Sequence, residues 1–206
     1  MREFKINCRP YGDVAIYEKD KIVLNPGVTV LVGCNGTGKT TLLHAIKESL
    51  QESKIPVLFY SNLFEGGEFA ASTAFFHDNV SLGATLLTSS EGEQIVANLG
   101  TAATKMGRFV RDNKGSSEIW ILLDAIDSGL SIDNIIDVKK YLFKTIIDDN
   151  APSDVYIIVS ANEYEMCNGE NCFDVYTGEY IRFSDYGEYQ RFILDSRATK
   201  NTRYSI

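Results

Sequence analysis

The chain has 206 residues, 44% of them hydrophobic and 23% charged, with 16 Gly and only 4 Pro. That composition suits one globular domain and excludes disordered, collagenous and repeat architectures. Lys and Arg total 20 against 28 Asp and Glu, a net charge of -8, so no long-range field draws the whole molecule onto DNA or an anionic membrane, and any nucleic-acid contact needs a local patch. Arg2, Glu3 and Lys5 interrupt the start where a signal peptide needs an apolar stretch, and no run is long enough to span a bilayer; no membrane partner and a cytoplasmic location are expected.

Residues 4 to 24 read as short strands at Phe4–Cys8, Val14–Tyr17 and Lys21–Leu24, separated by turn-forming stretches. After Asn25-Pro26-Gly27, the segment Val28–Val32 is apolar almost throughout, as a strand buried on both faces must be. Gly33–Gly38 forms a loop, and Lys39–Leu50 reads as a helix with Leu42, Leu43, Ile46 and Leu50 on one face. Val57–Tyr60, Ile119–Leu123 and Val155–Val159 supply further strands. Strands alternating with helices predict an α/β fold with a mostly parallel core sheet, preceded by N-terminal antiparallel strands.

Two long helical patterns lie between these strands. In the first, Ile95, Leu99, Ala102, Met106, Phe109 and Val110 recur at helical spacing, and Lys105, Arg108, Arg111 and Lys114 gather on other faces. In the second, Ser131 caps a helix whose apolar face is expected to be Ile132, Ile135, Ile136, Leu142, Phe143 and Ile146. Toward the end, Asp174–Ile181 is a hairpin around Thr177-Gly178, followed by a short helix near Asp185 with Glu188 completing a capping box. The four cysteines Cys8, Cys34, Cys167 and Cys172 read as free thiols; the pair Cys167/Cys172 is half of a zinc site at most, and a structural zinc wants four convergent ligands.

The chemistry concentrates in Gly33-Cys34-Asn35-Gly36-Thr37-Gly38-Lys39-Thr40, which fits G-x4-G-K-[ST] and stands between a strand and a helix. Glycines let backbone N–H groups close around phosphate oxygens, and the helix N-terminus adds a positive dipole. Lys39, expected as a solvated loop side chain, reaches the β and γ phosphates, and the Thr40 hydroxyl ligates Mg²⁺. Such a loop needs a carboxylate for the metal at the end of a neighbouring buried strand. Asp124, directly after Ile119–Leu123, meets that requirement.

These residues resemble a particular family. Asn35–Leu43, including Thr41, is similar to the phosphate loop of ABC-type ATPases. Leu122–Leu130 resembles their Walker B strand running into the D-loop, and Ser89-Ser90-Glu91-Gly92-Glu93-Gln94 resembles the signature motif of the RecF/SMC/Rad50-like branch. The resemblance covers roughly residues 1–165. It implies a P-loop NTPase domain spanning 1–206 that binds ATP and Mg²⁺, with Ser90 and Gly92 of a second copy completing the site, and hence an ATP-dependent head-to-tail homodimer. It also implies a nucleotide-driven switch acting on DNA or on a DNA-acting partner, and it places Arg9 near the nucleotide. Coiled-coil arms are absent, and residues 166–206 match nothing in the family.

The pattern departs from the family at three points. Ala125 follows Asp124 where a water-polarising glutamate is expected, so the chain as written is expected to hydrolyse ATP poorly. Its neighbours are kept, which reads as an introduced substitution, with natural loss as the alternative. Asn162 stands where a switch histidine is expected, and residues 52–93 contain no glutamine, leaving Asn62 as a substitute for the usual one. A non-hydrolysing ATP-binding regulator is the runner-up reading. A small-molecule P-loop kinase is the third, although it leaves the signature motif unexplained and lacks an arginine-rich lid.

Overall fold

The computed structural model describes residues 1–61, 91–150 and 152–204, with the backbone alone for 91–99 and 204. Its element order is β1 (Arg2–Lys5), β2 (Lys21–Leu24), β3 (Gly27–Val32), α1 (Lys39–Glu52), β4 (Val57–Ser61), α2 (Glu91–Asp112) and β5 (Glu118–Asp124). There follow α3 (Ile132–Asp137), a π-helical segment (Val138–Phe143), α4 (Lys144–Asp148), β6 (Asp154–Ser160), α5 (Tyr164–Cys167), β7 (Asn171–Asp174), β8 (Glu179–Ile181) and α6 (Tyr186–Tyr204). The expected class is the one observed: α/β, with a mostly parallel core sheet and helices on both faces.

Six strands form the core sheet in the order β4-β5-β6-β3-β7-β8, parallel except for the final β7–β8 pair, while β1 and β2 make a separate antiparallel ribbon. Side chains alternate across the strands, so each strand feeds two cores. Ile119, Ile121 and Leu123 of β5, with Val155, Ile157 and Val159 of β6, face α2 and the α3–α4 region through Met106, Ile135, Val138 and Phe143. Trp120 and Leu122, with Tyr156 and Ile158, face α1 and the ribbon through Leu42, Leu43, Ile46, Phe4 and Leu24. Burying each such aliphatic side chain stabilises the fold by about 1.5–3 kcal/mol. At the start of the sheet Trp120 stacks on Tyr156 at 3.8 Å and 6°, with Phe4 edge-on to the indole.

Several local expectations change. Val14–Tyr17 is not a strand: Ile16 and Tyr17 are consecutive yet both buried, an arrangement that a strand with one buried face cannot give. Both pack on the loop after β3, with Tyr17 Oη donating to the Gly38 carbonyl at 2.8 Å. Of the expected apolar face after Ser131, Ile132 and Ile136 are exposed and Val138 is buried instead. Ile132 and Ile136 lie in α3, ahead of the π-helical segment; within that segment the wider turn brings Val138 and Phe143, five residues apart, onto one buried face. The hairpin turns at Thr177-Gly178 as expected, with Gly178 at φ +69° and Asp174 accepting from Tyr176 N–H and the Thr177 hydroxyl.

The helix expected near Asp185 runs for 19 residues rather than a turn or two. It starts with Glu188 N–H donating to Asp185 Oδ1 while the Glu188 carboxylate reaches back to Ser184. No helix among the described residues is long and apolar enough to cross a membrane.

Candidate functional site

Three parallel strands end side by side at the site. β3 runs into the glycine loop, β5 ends at Asp124, and β6, lying between them in the sheet, ends at Ser160, which pairs in register with Asp124. Clefts at the carboxyl ends of parallel strands are where α/β sheets hold ligands. Here the cleft has a volume of about 320 Å³ and is lined by Asn35, Gly36, Gly38, Lys39, Thr40, Thr41, Asp124, Ala125 and Asn162, together with Tyr11, Ile16 and Ser160. A larger groove, about 490 Å³, lies beside the π-helical segment. Its Lys139 is already committed to the Glu165 and Asn168 carbonyls and to Glu170, and its Lys144 to Asp148.

The loop's shape depends on glycine. Gly38 sits at φ +99°, and a Cβ there would come within 2.9 Å of Ile16 Cδ1 and 3.0 Å of Tyr17 Oη, so any side chain would force the loop away from its neighbours. Thr37 is buried beneath the loop and donates to the Cys34 carbonyl at 2.9 Å.

Lys39 is not the solvated side chain expected from the sequence: only 9% of it is exposed. As the first residue of α1 it folds back over the loop, donating to the Gly33 carbonyl at 2.7 Å and the Cys34 carbonyl at 3.4 Å. Burial lowers its pKa, against the pull of Cys34, Asp127 and Asp124.

Asp124 is fully buried and saturated with donors. The Thr40 hydroxyl donates to its two oxygens at 3.1 and 3.2 Å, and the Ser160 hydroxyl to Oδ1 at 2.6 Å. Ser160 Oγ in turn accepts the Ala125 N–H at 2.9 Å. Ala125 has φ +53°, a left-handed conformation that is uncommon without glycine and that turns the chain sharply at the cleft.

Two residues further on, the buried Asp127 accepts the N–H groups of Asn162 and Glu163 at 2.6 and 2.7 Å, and its other oxygen has no partner among the described residues. Burial raises its pKa, and the two backbone bonds oppose the rise. Asn162, exposed at the cleft, is thus held through its backbone.

The structure brings together Asn35, Gly36, Gly38, Lys39, Thr40, Thr41, Asp124, Ala125 and Asn162. Arg9 is exposed, its N–H donating to Asn7 Oδ1, and it does not line the cleft. Tyr11 does, with its hydroxyl 2.9 Å from Thr41 Oγ1. Gly92 lies in the first turn of α2. Ser90 and Asn62 lie outside the described residues. Sequence reasoning missed Tyr11, Ile16 and Ser160; an aromatic and an aliphatic in a turn, and a serine ending a strand, carry no motif. All four cysteines are free thiols.

A family described as an AAA domain matches residues 6–57, the stretch from just after β1 through the glycine loop and α1 to the first residue of β4. No curated protein matches the chain. Among solved structures, it is similar to the ADP form of MJ1267, an ATP-binding cassette of an ABC transporter, with TM-score 0.49 and 14% identity over 92% of this chain and 93% of that one. It is also similar to the dimeric post-hydrolysis state of the ATP-binding cassette MJ0796 bound to ADP and Pi, with TM-score 0.42 and 13% identity over 88% and 94% of the two chains. A third is a chain of the HORMA:CdnC:Trip13 complex of E. coli MS115-1, with TM-score 0.41 and 16% identity over 85% and 54%.

Proposed function

We propose that this chain is an ABC-type P-loop ATPase that binds Mg-ATP in the cleft between residues 33–41 and Asp124 and pairs with a second copy around the nucleotide. The observation that carries the reading is the Thr40 hydroxyl aimed into the Asp124 carboxylate at the start of α1. An alcohol and a carboxylate are hard oxygen donors of the kind Mg²⁺ takes, with waters and phosphate oxygens filling its other positions. When bound, the ion neutralises charge on the terminal phosphates. Thr40 and Asp124 hold it, Lys39 exchanges its loop carbonyls for phosphate oxygens, and the N-terminus of α1 adds its dipole. The exposed ring of Tyr11 at the rim offers a stacking surface for the base.

Ala125 brings no carboxylate to the position after Asp124, so turnover is slow. Ser90 and Gly92 of the partner copy complete the phosphate cage. The output is a nucleotide-driven switch on DNA or on a DNA-acting partner, with the exposed Lys105, Arg108 and Arg111 of α2 and Lys114 in the turn after it as the local basic patch that a chain of net charge -8 requires.

Calorimetry and solution mass test this directly. Mg-ATP should bind and shift the chain from monomer to dimer. Lys39→Met should abolish binding, and Ser90→Arg should block the mass shift while leaving binding to the monomer intact, because an arginine does not fit a sandwich built around a serine. Unchanged ATP affinity in Lys39→Met refutes the phosphate site, and a mass indifferent to ATP refutes the sandwich.

A further inference from the structure

Residues 166–206 carry no motif, yet one face of α6 follows the edge of the cleft. Positions 189, 196, 200 and 203 are separated by seven, four and three residues, a spacing that keeps them on one side of a helix. Tyr189 Oη donates to the Asn162 carbonyl at 2.8 Å, Ser196 Oγ accepts the Cys34 N–H at 3.1 Å, and Lys200 Nζ donates to the Asn35 carbonyl at 2.9 Å. Arg203 donates to the Ile16 carbonyl at 3.0 Å and stacks 4.1 Å over Tyr176. The helix is tied in turn to the segment after β6, to the phosphate loop and to the opposite wall.

Peptide geometry turns these contacts into a statement about the loop. In a planar trans peptide the C=O and the N–H point in opposite directions. The 33–34 unit sends its N–H outward to Ser196 and its carbonyl inward, where Lys39 Nζ meets it at 2.7 Å. In the 35–36 unit Lys200 draws the carbonyl outward, which directs the Gly36 N–H toward the cleft that Gly36 lines. Gly36, at φ +79°, has no side chain to resist a flip of that peptide. A Cβ on Gly36 would lie 3.5 Å from Lys200 Nζ, so the cation sits directly against the loop apex.

We infer that α6 is a working part of the phosphate site: Ser196 and Lys200 are positioning residues that set the orientation of two loop peptides, Lys200 by holding the Gly36 N–H as a donor toward bound phosphate. The inference rests on the nucleotide-site reading above. A cation on the carbonyl also polarises its peptide and strengthens the opposite N–H as a donor. The flipped peptide would instead present a carbonyl oxygen to an anion.

The test compares Mg-ATP affinity by calorimetry and nucleotide-free Tm for wild type, Lys200→Met, Lys200→Arg and Ser196→Ala, with Arg197→Ala as a charge control exposed on the same helix. Lys200→Met should weaken ATP binding about tenfold, the scale of one charge-assisted hydrogen bond. Lys200→Arg should restore it to within about threefold, Ser196→Ala should weaken it less than Lys200→Met, and Arg197→Ala should leave it unchanged. Should Lys200→Met not fold, Lys200→Gln carries the same comparison. ATP affinity equal to wild type in the folded Lys200 variants, whatever their Tm, overturns the inference alone. Wild-type chain that does not bind ATP overturns the nucleotide site and this inference with it.

Discussion

Ser160 is the residue on which the inner half of the cleft depends, and Ser160→Ala removes two bonds at once. The hydroxyl donates to Asp124 Oδ1 at 2.6 Å and accepts Ala125 N–H at 2.9 Å, both in buried surroundings. A hydrogen bond to a charged group contributes about 1.5–3 kcal/mol, and an orphaned buried N–H costs about 1–3 kcal/mol. Together they give a loss of about 2.5–6 kcal/mol. For a chain of this length each kcal/mol moves Tm by about 2–4 °C, so a fall of roughly 10 °C is expected.

Ser153→Ala is the matched control, because its hydroxyl makes one neutral bond, to the Ser116 carbonyl, and its loss should cost only about 1 kcal/mol. Thermal unfolding should be measured with and without Mg-ATP. The metal gives Asp124 a partner to replace the lost serine, so the deficit of Ser160→Ala should shrink when Mg-ATP is present and that of Ser153→Ala should not. If Ser160→Ala loses no more stability than Ser153→Ala, the buried carboxylate does not rely on this hydroxyl and the account of the inner cleft fails.

Two other perturbations follow from the same network. Ala125→Glu supplies the carboxylate that the position after Asp124 lacks, and phosphate release in a single turnover should rise at least about a hundredfold. The left-handed backbone burdens alanine and glutamate alike, so no gain with ATP binding and dimerisation intact would mean a switch without a hydrolytic cycle. Asp127 has its pKa raised by burial. The folded chain therefore keeps a proton that the unfolded chain has released, and the stability this gives is present below the ordinary carboxylate value, about 4, and is lost as pH rises through the raised one. The Tm of wild type relative to Asp127→Asn should fall as pH increases across that window, and a difference constant with pH would refute the assignment.

The parts of the site that could be read from the sequence are those where chemistry forces a pattern. The doubly buried strands β3, β5 and β6 are apolar runs because both faces are covered, and the glycine loop is written in residue types that few other roles require. Ser160 carries no such mark; it acquires a role only when register sets it opposite Asp124. The burial of Lys39 leaves no mark in the sequence, because it comes from the side chain folding back onto the Gly33 and Cys34 carbonyls. The length of α6 stayed hidden for a related reason. Only its first turns pack on the core, through Tyr189, Phe192 and Ile193; beyond them the contact face is Ser196, Lys200 and Arg203, which bond to loop carbonyls and an N–H, so no apolar periodicity announces the rest of the helix. In the α3–α4 region the expected face follows a 3.6-residue period, whereas the π-helical segment spaces its buried Val138 and Phe143 five residues apart.

The stacked pair at the start of the sheet gives this chain a built-in optical gauge. Trp120 is its single tryptophan, fully shielded from water and pressed against Tyr156. Asp124 lies four positions further along β5, about 13 Å away at the rise of an extended strand. Its emission therefore reports the integrity of the sheet at the end remote from the cleft. Ligand-induced shifts of the loop should leave that emission almost unchanged, whereas separation of β5 from β6 exposes the indole and moves the spectrum to the red. Unfolding can thus be followed through one fluorophore while the cleft is filled, emptied or mutated.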